Sequence, residues 1–198
     1  MFLLLTISIA PSLALVIYFY HKDKYEKEPL ELLGKAFLFG LFSVFIALPI
    51  ELILSLPLLF IKSGIFKIVY ISFIVAGFVE EFIKFSIFKL LIYDNKEFNE
   101  PYDGILYCVI ISLGFATFEN IMYVLTAFFE FGIFGSLSVG VMRSLFSVPV
   151  HAFIALIMGY FFSKAKFSPD KNLEKFYIIK GLLIAIFLHG TFDFFALS

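Results

Sequence analysis

The sequence predicts an all-α fold: a polytopic transmembrane helical bundle of about six spanning helices, built as a single integral membrane domain over residues 1–198. Three observations predict it. Hydrophobic residues make up 62% of the chain and charged residues 16%, against about 25% charged in ordinary soluble domains. The mean hydropathy is +1.02. The apolar residues also fall in blocks of about 20 or more, the length a helix needs to cross the hydrocarbon core. The polar loops between them, the longest near 21–30, 94–102 and 163–176, are too short to enclose a core of their own.

The first block, 2–20, resembles the core of a signal peptide, but no basic residue precedes it. Its apolar run also outlasts a usual leader, so it reads as a retained span. The second, 32–60, carries Pro49 and Pro57 and is expected to kink or to end early along the membrane surface. The third covers 68–92, the fourth 103–129 and the fifth 136–162. The sixth, 177–197, runs to Ser198 with no polar tail, the pattern of a trimmed C-terminus.

Orientation follows from lysine asymmetry. Lys22, Lys24, Lys27, Lys35, Lys89, Lys96, Lys164, Lys166, Lys171, Lys175 and Lys180 fall around the loops after the first, third and fifth blocks. Only Lys62 and Lys67 fall on the other side. Eleven against two puts the odd-numbered loops in the cytoplasm and both termini outside. A net charge of −1 gives no reason to expect nucleic acid as a partner. The one cysteine, Cys108, excludes an intrachain disulfide and a paired-cysteine metal site.

The informative residues are those that do not belong in lipid. Glu80, Glu81, Lys84, Glu119 and Asp193 lie inside expected spans, with His151 and His189. A charge at the centre of a spanning helix costs roughly 2.5–3.5 kcal/mol on insertion scales. Five of them therefore have to pair, take up protons or line a wet cavity. Their spacings are helical: Lys84 is one turn from both Glu80 and Glu81, and His189 is one turn from Asp193. Arg143, Ser147 and His151 form another polar stripe. The predicted orientation puts Glu80, Glu81, His151 and His189 near mid-membrane, Glu119 and Asp193 slightly outward, and Arg143 further out. Lys84 and Arg143 read as structural counter-ions, and His151 stands between a structural and a catalytic role. Glu51, beside Pro49, either faces a cavity or sits at a kink.

Elimination narrows the chemistry. There is no H-E-x-x-H zinc motif, no G-x-S-x-G elbow, and no Glu-x-x-His pair for a di-iron bundle. What remains is rich in glutamate and histidine. A glutamate can take a proton from water as general base, and a neighbouring histidine can stabilise an oxyanion. Rival readings are a metal-dependent membrane hydrolase holding an ion on Glu80, Glu119, His151 and His189, a proton-coupled transporter, and a non-enzymatic scaffold.

Three patterns make a resemblance specific. Glu80-Glu81-Phe82-Ile83-Lys84 reads E-E-x-x-K, Phe115 to Asn120 reads F-x-x-x-E-N, and His189 to Asp193 reads H-x-x-x-D. In order and on separate helices, they resemble the PrsW family of bacterial intramembrane proteases. The likeness extends over the opening Ala10-Pro11 span with Tyr18-Phe19-Tyr20, and over Tyr102-Asp103-Gly104-Ile105. In motif logic the family is similar to the CAAX-processing and bacteriocin-processing membrane proteases. The resemblance implies a glutamate-dependent, metal-independent peptidase without a cofactor, in the bacterial cytoplasmic membrane. Its implied partner is a single-span anti-sigma factor, which receives its first (site-1) cut on the extracytoplasmic side, releasing an envelope-stress sigma factor. Carried over by position, Glu80 or Glu81 is the water-activating base, Glu119 stands where relatives place a helper histidine, and His189 with Asp193 stands at the oxyanion position. His151 is a possible replacement for the helper histidine. Carboxylates at 119 and 193 serve an oxyanion only when protonated, so the cluster is expected to share at least one proton.

Overall fold

The computed structural model describes residues 1–198 except Tyr25, Lys62 and Ser63. Lys62, counted in the charge asymmetry, therefore lies outside the described residues. Helix α1 spans Phe2–Lys22, α2 Leu30–Phe42 and α3 Val44–Ser55, the last continued by a 3-10 turn, Leu56–Leu59. Helix α4, Ile65–Tyr70, runs into a π-helical segment, Ile71–Phe78, and then into α5, Val79–Leu91. Helix α6 covers Pro101–Met142, a second π-segment Arg143–Ser147, α7 Val148–Lys166 and α8 Lys171–Leu197. No strand occurs among the described residues.

Helical ends follow local chemistry. Helix α6 starts at a proline behind a capping box, in which the Glu100 and Asp103 side chains each accept from the other residue's backbone N–H. Asp170 caps α8, its Oδ1 accepting from Asn172 N at 2.7 Å.

Among the described residues, four helical stretches are long and apolar enough to cross a membrane: Phe2–Lys22, Leu30–Leu59, Pro101–Lys166 and Lys171–Leu197. About six were expected, and the difference has two physical sources. The third expected span coincides with Ile65–Leu91, whose charge from Lys67, Glu80, Glu81, Lys84 and Lys89 removes it from the apolar set. The fourth and fifth lie in one unbroken 66-residue stretch. Straight, such a helix would be about 100 Å long, over three times the hydrocarbon core. It is not straight. Gly132, at φ 71° and ψ −166°, turns it back on itself. The pairing across the turn is regular: Gly104 lies against Gly159, Ser112 Oγ donates to His151 O at 3.1 Å, and Arg143 Nε donates to Asn120 Oδ1 at 2.6 Å.

The first arm of this hairpin is the central post. Every residue from Leu106 to Thr117 is buried, as expected of a helix surrounded on all sides. Small residues let its neighbours close in. A Cβ on Gly40 of α2 would stand 2.0 Å from the Ile111 carbonyl oxygen, and one on Gly159 would stand 2.3 Å from that of Gly104. Helix α1 packs through Ser8 and Ser12, and α8 crosses the Ile71–Phe78 segment at Gly77 and Gly190. The outer surface is apolar: Phe2, Leu59, Phe60, Phe66, Leu90, Phe129 and Phe134 are largely exposed. Such a surface suits lipid as its solvent.

One half of the interior is an aromatic core around Phe88, with Phe162 and Phe98 at 5.0 and 5.7 Å between ring centroids. Beside it, described residues of the connection 23–29 are held in place: the Tyr107 hydroxyl donates to Glu28, and Lys27 donates to the carbonyls of Tyr20 and Asp23. The other half of the interior holds the buried charged and histidine side chains.

Candidate active site

The Ile71–Phe78 π-segment ends two residues before Glu80, and π-turns inside helices are frequent at functional sites. Glu80, Glu81 and Lys84 follow on the first turns of α5, all buried, with Lys84 1% exposed. An ammonium has three protons and accepts none. Lys84 Nζ uses all three, on Glu80 Oε2 at 3.1 Å, Glu81 Oε1 at 2.8 Å and His151 Nδ1 at 3.2 Å. The ring of Phe115 lies beneath it, 4.3 Å from the nitrogen to the centroid. One lysine thus contacts both carboxylates and balances the charge of one of them.

Those contacts assign the imidazoles. His151 Nδ1 faces a group that only donates, so its proton sits on Nε2, which donates to Glu119 Oε2 at 3.1 Å. His189 donates from Nδ1 to Glu81 Oε1 at 2.8 Å. Its Nε2 is left facing Asp193 Oδ2 at 3.5 Å and Glu80 Oε2 at 3.8 Å. The two rings meet edge to face, 5.2 Å apart and 88° inclined. Glu119 also binds Arg143 Nη2 at 2.8 Å, and Arg143 lies 4.1 Å over the Tyr123 ring. Arg143 is therefore an ion-pair partner of Glu119 within the site.

The structure brings every sequence-predicted site residue together: Glu80, Glu81 and Lys84 from α5, Glu119 from α6, Arg143 from the second π-segment, His151 from α7, and His189 with Asp193 from α8. A cavity of about 880 Å³ opens beside them. Glu80, Glu119, Arg143, His151, His189 and Asp193 reach its wall, whereas Glu81 and Lys84 lie behind it. Apolar residues supply most of the remaining lining. Glu51 lines it too, which settles the alternative between cavity and kink. Sequence reasoning gave no role to Asn120 or Tyr123. Their signal was position, next to and one turn beyond Glu119.

Metal-ligand chemistry is represented in two overlapping sets. Glu80, Glu81, His151 and His189 offer donor atoms that all lie within 4.8 Å of one another. The Lys84 ammonium already stands between three of these four residues. The second set faces the cavity: His189 Nε2 with Glu80 and Asp193, at the spacings given above. Its histidine is held from behind by a carboxylate, as metal-ligating histidines commonly are.

The same chain matches proteins already described. A family model described as PrsW family intramembrane metalloprotease matches residues 28–198. Relatives that carry the name Protease PrsW include the following three. The one from Geobacillus kaustophilus (strain HTA426) is 38% identical over 198 residues, all of this chain and 81% of that protein. The one from Clostridioides difficile (strain 630) is 40% identical over 192 residues, 96% of this chain and 78% of that protein. The one from Bacillus subtilis (strain 168) is 37% identical over 194 residues, 98% of this chain and 83% of that protein. No solved structure matches. With the three motifs converging on one buried cluster and the likeness running nearly end to end, the chain belongs to the PrsW family of intramembrane proteases.

Proposed function

We propose that the chain is a glutamate-dependent intramembrane endopeptidase, with Glu80 as its base, that makes the site-1 cut in a single-span anti-sigma factor. One observation carries the assignment of the base: of the two adjacent glutamates, only Glu80 reaches the cavity. Glu81 is turned to Lys84 and His189 and acts as a positioning residue. A water bound at Glu80 gives it a proton while its oxygen bonds to the substrate carbonyl carbon, and the carbonyl electron pair moves onto oxygen. The Arg143 guanidinium on the cavity wall stabilises that oxyanion, joined by His189 when its Nε2 also carries a proton. Glu80 then delivers its proton to the amide nitrogen as the C–N bond breaks, leaving a carboxylic acid and an amine, between which the remaining proton exchanges.

A second reading is favoured by the donor spacing at His189, Glu80 and Asp193 and by the family's description as a metalloprotease. Those three residues fit an ion in type and position. Bound there, it would supply Lewis acidity and a more acidic water. Against it, the denser set around Lys84 is filled by an ammonium. Treating the purified protein with a zinc chelator, and measuring its metal content, separates the readings: unchanged cleavage by metal-free protein supports the first, and loss restored by added metal supports the second.

In this reading the residues form one integral domain in the bacterial cytoplasmic membrane. Both arms of the Gly132 hairpin and the Ile65–Leu91 segment cross it, giving six passes with both termini outside. The lysine asymmetry and the chain reversal at Gly132 support that topology, and the outer-half depth of the site suits an extracytoplasmic cut.

A further inference from the structure

The site leaves one carboxylate without a role. Glu51 lies on α3, in the second apolar stretch, where an unpaired charge is costly. Its neighbours in the cavity are all engaged. Glu80 shares Lys84, Glu119 holds Arg143, and Asp193 faces His189. Glu51 has no ion pair and no side-chain hydrogen bond among the described residues. Its position is nevertheless regular. Val44, Ala47, Leu48 and Glu51 all line the cavity, and their spacing is that of one helix face. Helix α3 therefore offers a small apolar wall that ends in a free carboxylate. The lining as a whole is acidic, with Glu51, Glu80, Glu119 and Asp193 against Arg143 and two imidazoles, since Lys84 stays behind the wall.

We infer that Glu51 is a specificity-determining residue, selecting substrates with a lysine or arginine side chain beside the scissile bond; this rests on the peptidase reading above. A peptide extended along α3 lays its apolar side chains on Val44, Ala47 and Leu48 and brings a cationic one to Glu51. The cation supplies the partner that the protein lacks, and charge complementarity of this kind discriminates between substrates. It is selective for a further reason. Lysine and arginine are depleted from the outer flanks of spanning helices, so a basic residue there marks few membrane proteins.

The test uses the full chain co-expressed with a library of single-span reporters. Each carries a randomised eight-residue segment just outside its span, and cut products are sequenced by mass spectrometry. Wild type, Glu51→Gln, Glu51→Lys and Glu80→Gln are compared at matched membrane levels. Wild type is expected to enrich lysine or arginine at one position relative to the cut by roughly five- to tenfold, Glu51→Gln to lose that preference while still cutting, and Glu51→Lys to prefer aspartate or glutamate there. An unchanged preference in Glu51→Gln overturns the inference. So does a wild type with no basic preference, or a Glu51→Gln that loses cleavage of every sequence alike. Cleavage by Glu80→Gln equal to wild type refutes the peptidase reading instead, which keeps the two failures apart.

Discussion

Lys84 holds the site together, because its three protons join residues of α5 to the α7 histidine. Removing one partner of a buried ion pair typically costs about 3–5 kcal/mol, since the remaining charge is left uncompensated. Lys84→Met is therefore expected to lower the melting temperature of the detergent-purified protein sharply. Lys84→Arg should fall between, because a planar guanidinium cannot reach three acceptors arranged around a point. A Lys84→Met protein that melts with wild type would show that the cluster does not depend on this cation. The two glutamates should also separate kinetically. On the proposed role of Glu80 as base, Glu80→Gln is expected to cost roughly 10²–10⁴-fold in rate. Glu81→Gln disturbs the orientation of His189, an effect of about 10–100-fold. The helical spacing showed that Lys84 could reach either carboxylate. It could not show that His151, 67 residues away, completes the triad, because that contact depends on how α5 and α7 pack. The same holds for Arg143 with Glu119 and for Glu51 in the cavity wall.

At the scale of elements, the Gly132 turn and the connection 23–29 carry the sharpest expectations. Gly132 occupies a backbone region almost closed to other residues. Gly132→Ala should cost about 1–3 kcal/mol, measured as a lowered melting temperature. Gly34→Ala in α2, where an added Cβ meets nothing within 4 Å, should be neutral or stabilising. The hairpin was legible as two apolar blocks with a gap near 129–136, but the gap is helix on both sides of a single broken residue. The two π-segments left no mark in composition or period, since they arise from how the chain accommodates its neighbours. In the connection, burial pushes the Glu28 carboxyl from its ordinary value of 4.5 up to about 8, against the Tyr107 hydroxyl that donates to it. Between those values the folded protein keeps a proton that the unfolded chain has released. Its contribution is therefore full below pH 4.5 and is lost as pH rises toward 8. Glu28→Gln should flatten the fall in melting temperature across this window and leave melting at pH 4 close to wild type. An unchanged slope would show that Glu28 does not set it.

For the whole molecule, the sequence was most legible where it was most extreme. Long apolar blocks specify an all-helical membrane protein, and charges stranded inside them point to the site. The count of passes was less legible, because Ile65–Leu91 combines a spanning length with the charges of the site. Labelling with a membrane-impermeant thiol reagent resolves it. In a Cys108→Ser background, a cysteine at Glu130, near the hairpin turn, should react from outside intact cells. A cysteine at Ser168, between α7 and α8, should react only after the cells are opened. Equal labelling of both would contradict the six-pass arrangement. The central claim is that Glu80 makes this cavity a peptidase. It is tested most directly by cleavage of a tagged anti-sigma factor from the same genome, co-expressed with wild type or Glu80→Gln at matched membrane levels, each with and without a zinc chelator. The account predicts that wild type alone shortens the substrate and that the chelator changes nothing. A Glu80→Gln protein that cleaves as well as wild type would contradict it.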